Sequence, residues 1–305
     1  MTLLRRLRSA LLSVAVVLAP VVAASGQGTA AATPPVQNEP AAIDTIFGRS
    51  GRLLARFFAP RHSMEVEPIA RLFGKREQKG EGNLAVSDSI SGRQLSLFTL
   101  RPFADKVNGR VGDYHIGRFP AEKRTPRSAA YENPDGFIEV TLENKDTPVS
   151  EHFRLVDFLT HDQKDVWPKY LVLREPLVDK LELVLVELQR RGIKAERLAV
   201  MSGFRSPQYN QKGVGFRGRA KDSRHQFGDA ADILVDNNHD GRLDDLNHDG
   251  RVNSKDVRIL VAAVEAVERD YPELVGGLGL YRATRAHGPF IHVDVRGVRA
   301  RWGRL

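Results

Sequence analysis

Three residues far apart in the chain have side chains that suit a single divalent ion: His225, Asp232 and His292. His225 and Asp232 stand seven apart, with Gly228 and the small pair Ala230-Ala231 between them. The glycine allows a turn or a close backbone approach, and small side chains leave room around a site. Asp232 leads into the apolar run Ile233-Leu234-Val235, which reads as a buried strand with the aspartate at its head. A carboxylate taken out of water there needs a cation or hydrogen-bond donors. His292 sits inside Phe290-Ile291-His292-Val293-Asp294-Val295, another apolar run. Two imidazoles and one carboxylate supply three ligands of a zinc site and leave a fourth position for water, whose pKa zinc lowers to about 7. The competing reading is that each histidine is simply a hydrogen-bonded core residue.

A second chemical signal occupies residues 236–256. Oxygen-bearing side chains recur there at positions 1, 3, 5 and 9, with glycine at 6, in two registers. One register uses Asp236, Asn238, Asp240 and Asp244. The other uses Asp245, Asn247, Asp249 and Asn253, and ends in Asp256 at position 12. Calcium takes six to eight oxygens and needs a sharp turn at the glycine, so one calcium loop or a compact pair is expected. Because the registers overlap, two independent helix-flanked sites are not. A solvated acidic turn is the alternative, since charge runs commonly face water. His239 and His248 fall inside these turns and read as exposed loop residues.

Such groups need elements to hold them. Leu177, Leu181, Val184, Leu185 and Leu188 recur at helical spacing from Pro176 to Gln189, with Gly192 as the stop. Leu198-Ala199-Val200-Met201 reads as a strand. Val257, Leu260, Val261, Val264 and Val267 mark a second helix after Ser254. Between about residues 80 and 145, short apolar runs alternate with turn signals, among them Gln94 to Leu100 and Phe137 to Leu142, which suggests a small β-rich module. The aromatics between Gly112 and Pro120 read as core or turn packing. This mixture, without regular strand–helix alternation, is α+β rather than doubly wound.

The chain of 305 residues is 41% hydrophobic and 28% charged, proportions of a globular protein. It has no cysteine, which excludes disulfides, thiolate metal sites and a cysteine nucleophile. Arg5, Arg6 and Arg8 precede an apolar run from Ala10 to Ala24, the order of an export signal over residues 1–24. That run is shorter than the roughly 20 residues a bilayer span needs. Residues 25–42 read as a flexible tether. Without the three signal arginines the basic count falls from 46 to 43 against 38 acidic residues, a surplus of +5 in place of +8. This mild surplus suits an anionic envelope surface and shows no basic stripe of a nucleic-acid binder.

Three motifs, in this order, resemble the zinc D-alanyl-D-alanine carboxypeptidases and their peptidoglycan endopeptidase relatives. They are Ser202-Gly203-Phe204-Arg205-Ser206-Pro207, the stretch Ser223-x-His225-x-x-Gly228-x-Ala230-x-Asp232, and Phe290-Ile291-His292-Val293-Asp294. The resemblance covers residues 150–305 and implies a hedgehog/DD-peptidase-like domain with an antiparallel sheet. It implies zinc on His225, Asp232 and His292, with Arg205 binding the substrate's carboxylate or the developing oxyanion, and Ser223 supporting the site by hydrogen bonding. The substrate it implies is peptidoglycan, either its stem peptides or its cross-bridges, met in the periplasm or cell wall. Relatives place an acidic residue or a histidine just before the last ligand, where this chain has Pro289 and Phe290. Asp294 and His287 are the remaining candidates for the general base, with Asp294 also a candidate supporting partner. The second calcium register resembles a dockerin loop. A wall-binding protein with a structural metal site, and a calcium-dependent adhesion module, are the alternatives.

Overall fold

The computed structural model describes residues 53–58, 83–87, 94–215, 218–285 and 287–303. The expected export signal and tether lie outside the described residues. Three strands, β1 (Leu53–Phe58), β2 (Asn83–Ser87) and β3 (Gln94–Thr99), form a sheet in the order β1-β3-β2. After it come β4 (Arg101–Pro102), the hairpin of β5 (Arg110–Val111) and β6 (Tyr114–His115), then β7 (Gly136–Val140) and β8 (Lys169–Leu171). The aromatics between Gly112 and Pro120 are core, one of the two packing roles expected of them. Tyr114 and Phe119 are buried, and Phe119 packs against Phe103 and Phe137.

The expected boundary near residue 150 is crossed at several points. β7 pairs antiparallel with β8, Ile138 opposite Leu171. Ile116 accepts a backbone hydrogen bond from Gln208 at 2.9 Å, and buried Arg224 donates to the Ala130 carbonyl at 2.7 Å. Residues 98–140 therefore share one apolar core with the C-terminal part.

Helix α1 spans Glu175–Arg190 and buries Leu177, Leu181, Val184, Leu185 and Leu188 completely. Pro176 stands in its first turn, where a missing N–H costs nothing, and Gly192 follows its end at φ +76°. After β9 (Leu198–Ser202) and the one-turn α2 (Pro207–Gln211) comes β10 (Ala230–Val235). Asp232 thus lies inside its strand instead of at the head, because Ala230 and Ala231 already pair with Asp294 and Val293. Helix α3 spans Ser254–Asp270. Asn253 caps it by accepting from the Lys255 N–H, while Asp256 accepts from the Asn253 N–H at 2.7 Å. β11 (Gly277–Tyr281), β12 (Phe290–Asp294) and β13 (Ala300–Gly303) complete the chain.

Five strands form the main sheet, in the order β13-β11-β12-β10-β9, antiparallel except for the parallel β11–β13 pair. With helices packed on a mixed sheet, the architecture is α+β. One face of β12 carries Ile291 and Val293, both fully buried, and α3 packs on that strand and on α1. The ammonium of Lys180, on α1, is fully buried and ties these elements together. It donates to Glu268 Oε1 on α3 at 2.7 Å, to the Leu274 carbonyl at 3.0 Å and to the Asp294 carbonyl on β12 at 2.9 Å.

Candidate metal centre

A single row across the main sheet builds the site. Ser202 on β9 stands opposite Asp232 on β10, Asp232 opposite His292 on β12, His292 opposite Gly279 on β11, and Gly279 opposite Trp302 on β13. Side chains alternate along a strand, so Phe290, His292 and Asp294 share the face opposite to Ile291 and Val293. Gly279 leaves that face open for the Trp302 ring, which a Cβ there would meet at 2.4 Å. Trp302 in turn packs its ring 5.1 Å from that of His292.

His225 comes from outside the sheet, on the 3₁₀ turn Arg224–Phe227. Gly228 ends that turn at φ +69°, so close to the backbone that a Cβ would lie 2.4 Å from the Val172 carbonyl oxygen. Only glycine suits both the left-handed conformation and the space. The turn is braced by the buried Arg224–Asp229 ion pair.

The three expected ligands converge. His225 Nε2 lies 3.0 Å from His292 Nδ1, His292 Nδ1 lies 3.1 Å from Asp232 Oδ1, and His225 Nε2 lies 3.3 Å from the same oxygen. All three residues are buried, and together they are the one group of its kind found among the described residues. Donors about 2.0–2.1 Å from a tetrahedral zinc are about 3.3 Å apart, so this spacing fits that ion.

Hydrogen bonds behind the rings aim the donor atoms. His225 Nδ1 donates to the Gly203 carbonyl at 2.7 Å, and His292 Nε2 donates to Asp294 Oδ2 at 3.0 Å. Each neutral ring therefore turns a lone pair towards the Asp232 oxygen. Three acceptors meeting with no donor among them repel unless a proton or a cation lies between them. Burial pushes the His225 pKa down, against the pull of Asp232. Burial acts in the same direction on His292, but Asp232 and Asp294 on either side outweigh it and raise its pKa. Asp232 is held well below the usual carboxylate range; His225, His292 and Arg205 overcome its burial. A metal ion at this centre competes chiefly with a proton on His292.

Arg205 is positioned as a neighbour of the cluster. Its Nη2 pairs with Asp232 Oδ2 and its Nε donates to Ser202 Oγ at 2.8 Å. Its Nη1 makes no hydrogen bond among the described residues, and the side chain is 15% exposed, so donors remain for an incoming anion.

Asp294 does not stand where a general base is needed. It is fully buried, and the His292 ring separates its carboxylate from the other two ligands. The Gly277 N–H donates to it at 2.8 Å and the Arg296 guanidinium pairs with it at 2.5 Å. Burial would raise its pKa, but His292 and Arg296 hold it far below the usual range. Its place is that of a supporting partner. His287 packs its ring edge-on to Phe290, 5.0 Å between centroids, and Phe290 shares the strand face of His292. Its Nδ1 is tied to the Gly288 carbonyl at 2.8 Å, leaving Nε2 as its free nitrogen. Ser223 is buried, and its carbonyl accepts from both the backbone N–H and the side-chain amide of Gln226, while its hydroxyl makes no hydrogen bond among the described residues.

Residues 236–256 fold into two near-identical turns. Asp236 accepts from the Asp240 and Gly241 N–H groups, and nine residues on Asp245 accepts from those of Asp249 and Gly250. Asn238 and Asn247 accept from Asp240 and Asp249 in the same way. His239 and His248 adopt φ +62° and +58°, followed by Gly241 and Gly250 at +77° and +80°. Several expected calcium ligands have other partners. Asp236 pairs with Arg197 at 2.6 Å, Asp244 accepts from the Asn237 N–H, and Asp249 pairs with Lys255. Asp256 and Asn253 serve the start of α3, Asp256 accepting as well from the Leu246 N–H at 2.9 Å.

Four contributors lie outside the expected set: the Gly203 carbonyl, Ser202, Arg296 and Trp302. The alternation Gly277-x-Gly279 marks a strand that must accept a ring on one face, and Arg296 stands at same-face spacing from Asp294. Comparison with protein-family models, with curated proteins and with solved structures finds no match.

Proposed function

We propose that the chain is an exported zinc peptidase acting on peptide bonds of peptidoglycan, as a D-Ala-type carboxypeptidase or a cross-bridge endopeptidase. The observation that carries this reading is the convergence of three buried acceptors, His225 Nε2, His292 Nδ1 and Asp232 Oδ1, at 3.0–3.3 Å from one another. The order of the three motifs adds the substrate class. Zinc, when bound, supplies a Lewis acid and a water acidic enough to attack an amide carbonyl at neutral pH. Gly203 and Asp294 fix the two imidazoles in the tautomers that can bind it. Arg205, anchored by Asp232 and Ser202, offers its free donors to the substrate carboxylate or to the carbonyl oxygen as charge develops there. His287, with Nε2 unengaged and its ring against Phe290, two residues before His292, is the group we assign to proton transfer.

Incubation of the purified chain with defined muropeptides, with products read by mass, tests the proposal. Zinc-dependent cleavage that disappears on chelation and in His225→Ala is expected; cleavage unaffected by either overturns the peptidase reading. One observation favours a second reading, a wall-binding protein with a structural metal: the Asp294 carboxylate is fully engaged and no acidic side chain replaces it at Pro289 or Phe290. Muropeptides bound but uncut by the zinc-loaded chain would support that reading instead.

We propose in addition that the paired turns at 236–250 take up calcium. The support is their repeated geometry and oxygen spacing, and the partners of Asp236 and Asp249 are what calcium would have to displace. Millimolar calcium is expected to raise the thermal midpoint by several degrees, reversibly on chelation; an unchanged midpoint would mark solvated turns held by their own hydrogen bonds.

A further inference from the structure

Two adjoining cavities, of about 60 and 140 Å³, share Pro120, Arg124 and Asp222 in their walls. The segments that carry the metal cluster help to build the smaller one. Gln226, next in the chain to His225, lines it, as does Pro207, two residues beyond Arg205. Gln226 is held by its side-chain amide, which donates to the Lys221 carbonyl at 2.9 Å.

The charge around these cavities is one-sided. Arg118, Lys123 and Lys221 line the smaller cavity and are exposed, and none of their side chains has an ion-pair or hydrogen-bond partner among the described residues. Arg124 and Arg127 line the larger one and converge on Asp222, Arg127 at 3.6 Å. Arg127 is steadied from behind by the Tyr131 ring, 4.1 Å from its guanidinium carbon. Five cations thus surround one carboxylate, and walls of low dielectric focus such a field on an incoming anion. Asp222 is already committed to the protein: its Oδ2 takes both arginines and its Oδ1 is buried, which leaves the lysines and Arg118 as the free charges of the cleft.

We propose that this basic cleft is a subsite for an acidic peptide. The carboxylate of an acidic residue lies among Arg118, Lys123 and Lys221, and the chain that carries it runs along the two adjoining cavities. Cations spread over both cavities suit a carboxylate carried on an extended chain, which favours a peptide over a bare anion. As a specificity element the subsite rests on the peptidase reading, since Gln226 and Pro207 are its links to His225 and Arg205; as a binding site it stands independently.

The test uses the full chain as purified, with and without chelator, and two fluorescent probes, dansyl-Ala-Glu-Ala-amide and its Gln analogue, followed by anisotropy at low ionic strength. The Glu peptide is expected to bind at least about tenfold more tightly, chelator or not, and Arg118→Gln/Lys123→Gln/Lys221→Gln to remove the difference. The charge-reversed triple variant, with Glu at the same three positions, is expected to prefer a Lys peptide, which guards against a folding artefact. Equal binding of the Glu and Gln peptides, a difference that survives the triple variant, or inorganic phosphate displacing the Glu peptide as effectively as unlabelled peptide does would each overturn the proposal. Cleavage of muropeptides without Glu/Gln discrimination defeats the subsite alone; discrimination without cleavage defeats the peptidase reading alone.

Discussion

His292 has a carboxylate at each end, Asp232 beside Nδ1 and Asp294 at Nε2, and the bond to Asp294 decides which nitrogen faces the cluster. Removing the negative charge behind a ligating imidazole weakens its donor strength and frees its tautomer. Asp294→Asn is therefore expected to lower zinc affinity about 10–100-fold, read by chelator competition. His287→Gln leaves the three ligands in place. It is expected to preserve zinc affinity and to lower kcat about 100-fold, in keeping with the loss of a proton carrier. If the two variants exchanged these phenotypes, the roles assigned to Asp294 and His287 would be reversed. Side-chain types suggested the three ligands beside the rival reading of hydrogen-bonded core residues, and the order of the three motifs favoured the ligands. Neither separated Asp294 from His287, because strand alternation gives the face of a side chain and says nothing of what already occupies its oxygens. Arg296 and Gly277, which occupy those of Asp294, are set by the chain's path after β12 and by its pairing with β11.

At the scale of elements, α1 and α3 follow their apolar periodicity closely, since propensity, capping and burial agree. Pro176, Gly192 and Asn253 stand where a helix start, a stop and a cap require them. β10 starts earlier than its apolar run because two alanines join the ladder through backbone bonds that hydrophobicity does not report. β7 and β8 pair across 30 residues of sequence, a contact that no local pattern encodes. The Lys180 ammonium is equally hidden. It sits on the buried face of an otherwise apolar helix, and burial lowers its pKa against the pull of Glu268. Lys180→Met would leave Glu268 with Arg301 and the Gly276 N–H, and take from two buried carbonyls the ammonium that donates to them. A loss of about 3 kcal/mol in urea unfolding is expected. A change below about 1 kcal/mol would mean that Arg301 and repacking suffice.

Across the whole molecule, the central sheet is a partition. One face buries Ile291 and Val293 beneath α3, and the other carries a polar row from Ser202 to His292 that ends under Trp302. Motif order made the row's ligands legible in the sequence. Its flanks were not, because Gly279 and Trp302 acquire meaning only once β11 and β13 lie side by side. Among the described residues no helix is long and apolar enough to cross a membrane. The proposed peptidase chemistry requires that the cluster hold one metal ion. Chelator-treated protein titrated with zinc, with bound metal counted and its donors read by X-ray absorption, is the most direct test. One zinc per chain on two imidazole nitrogens and a carboxylate oxygen, lost in His225→Ala, is the expected result. Failure to bind zinc, or binding unchanged in that variant, would contradict it.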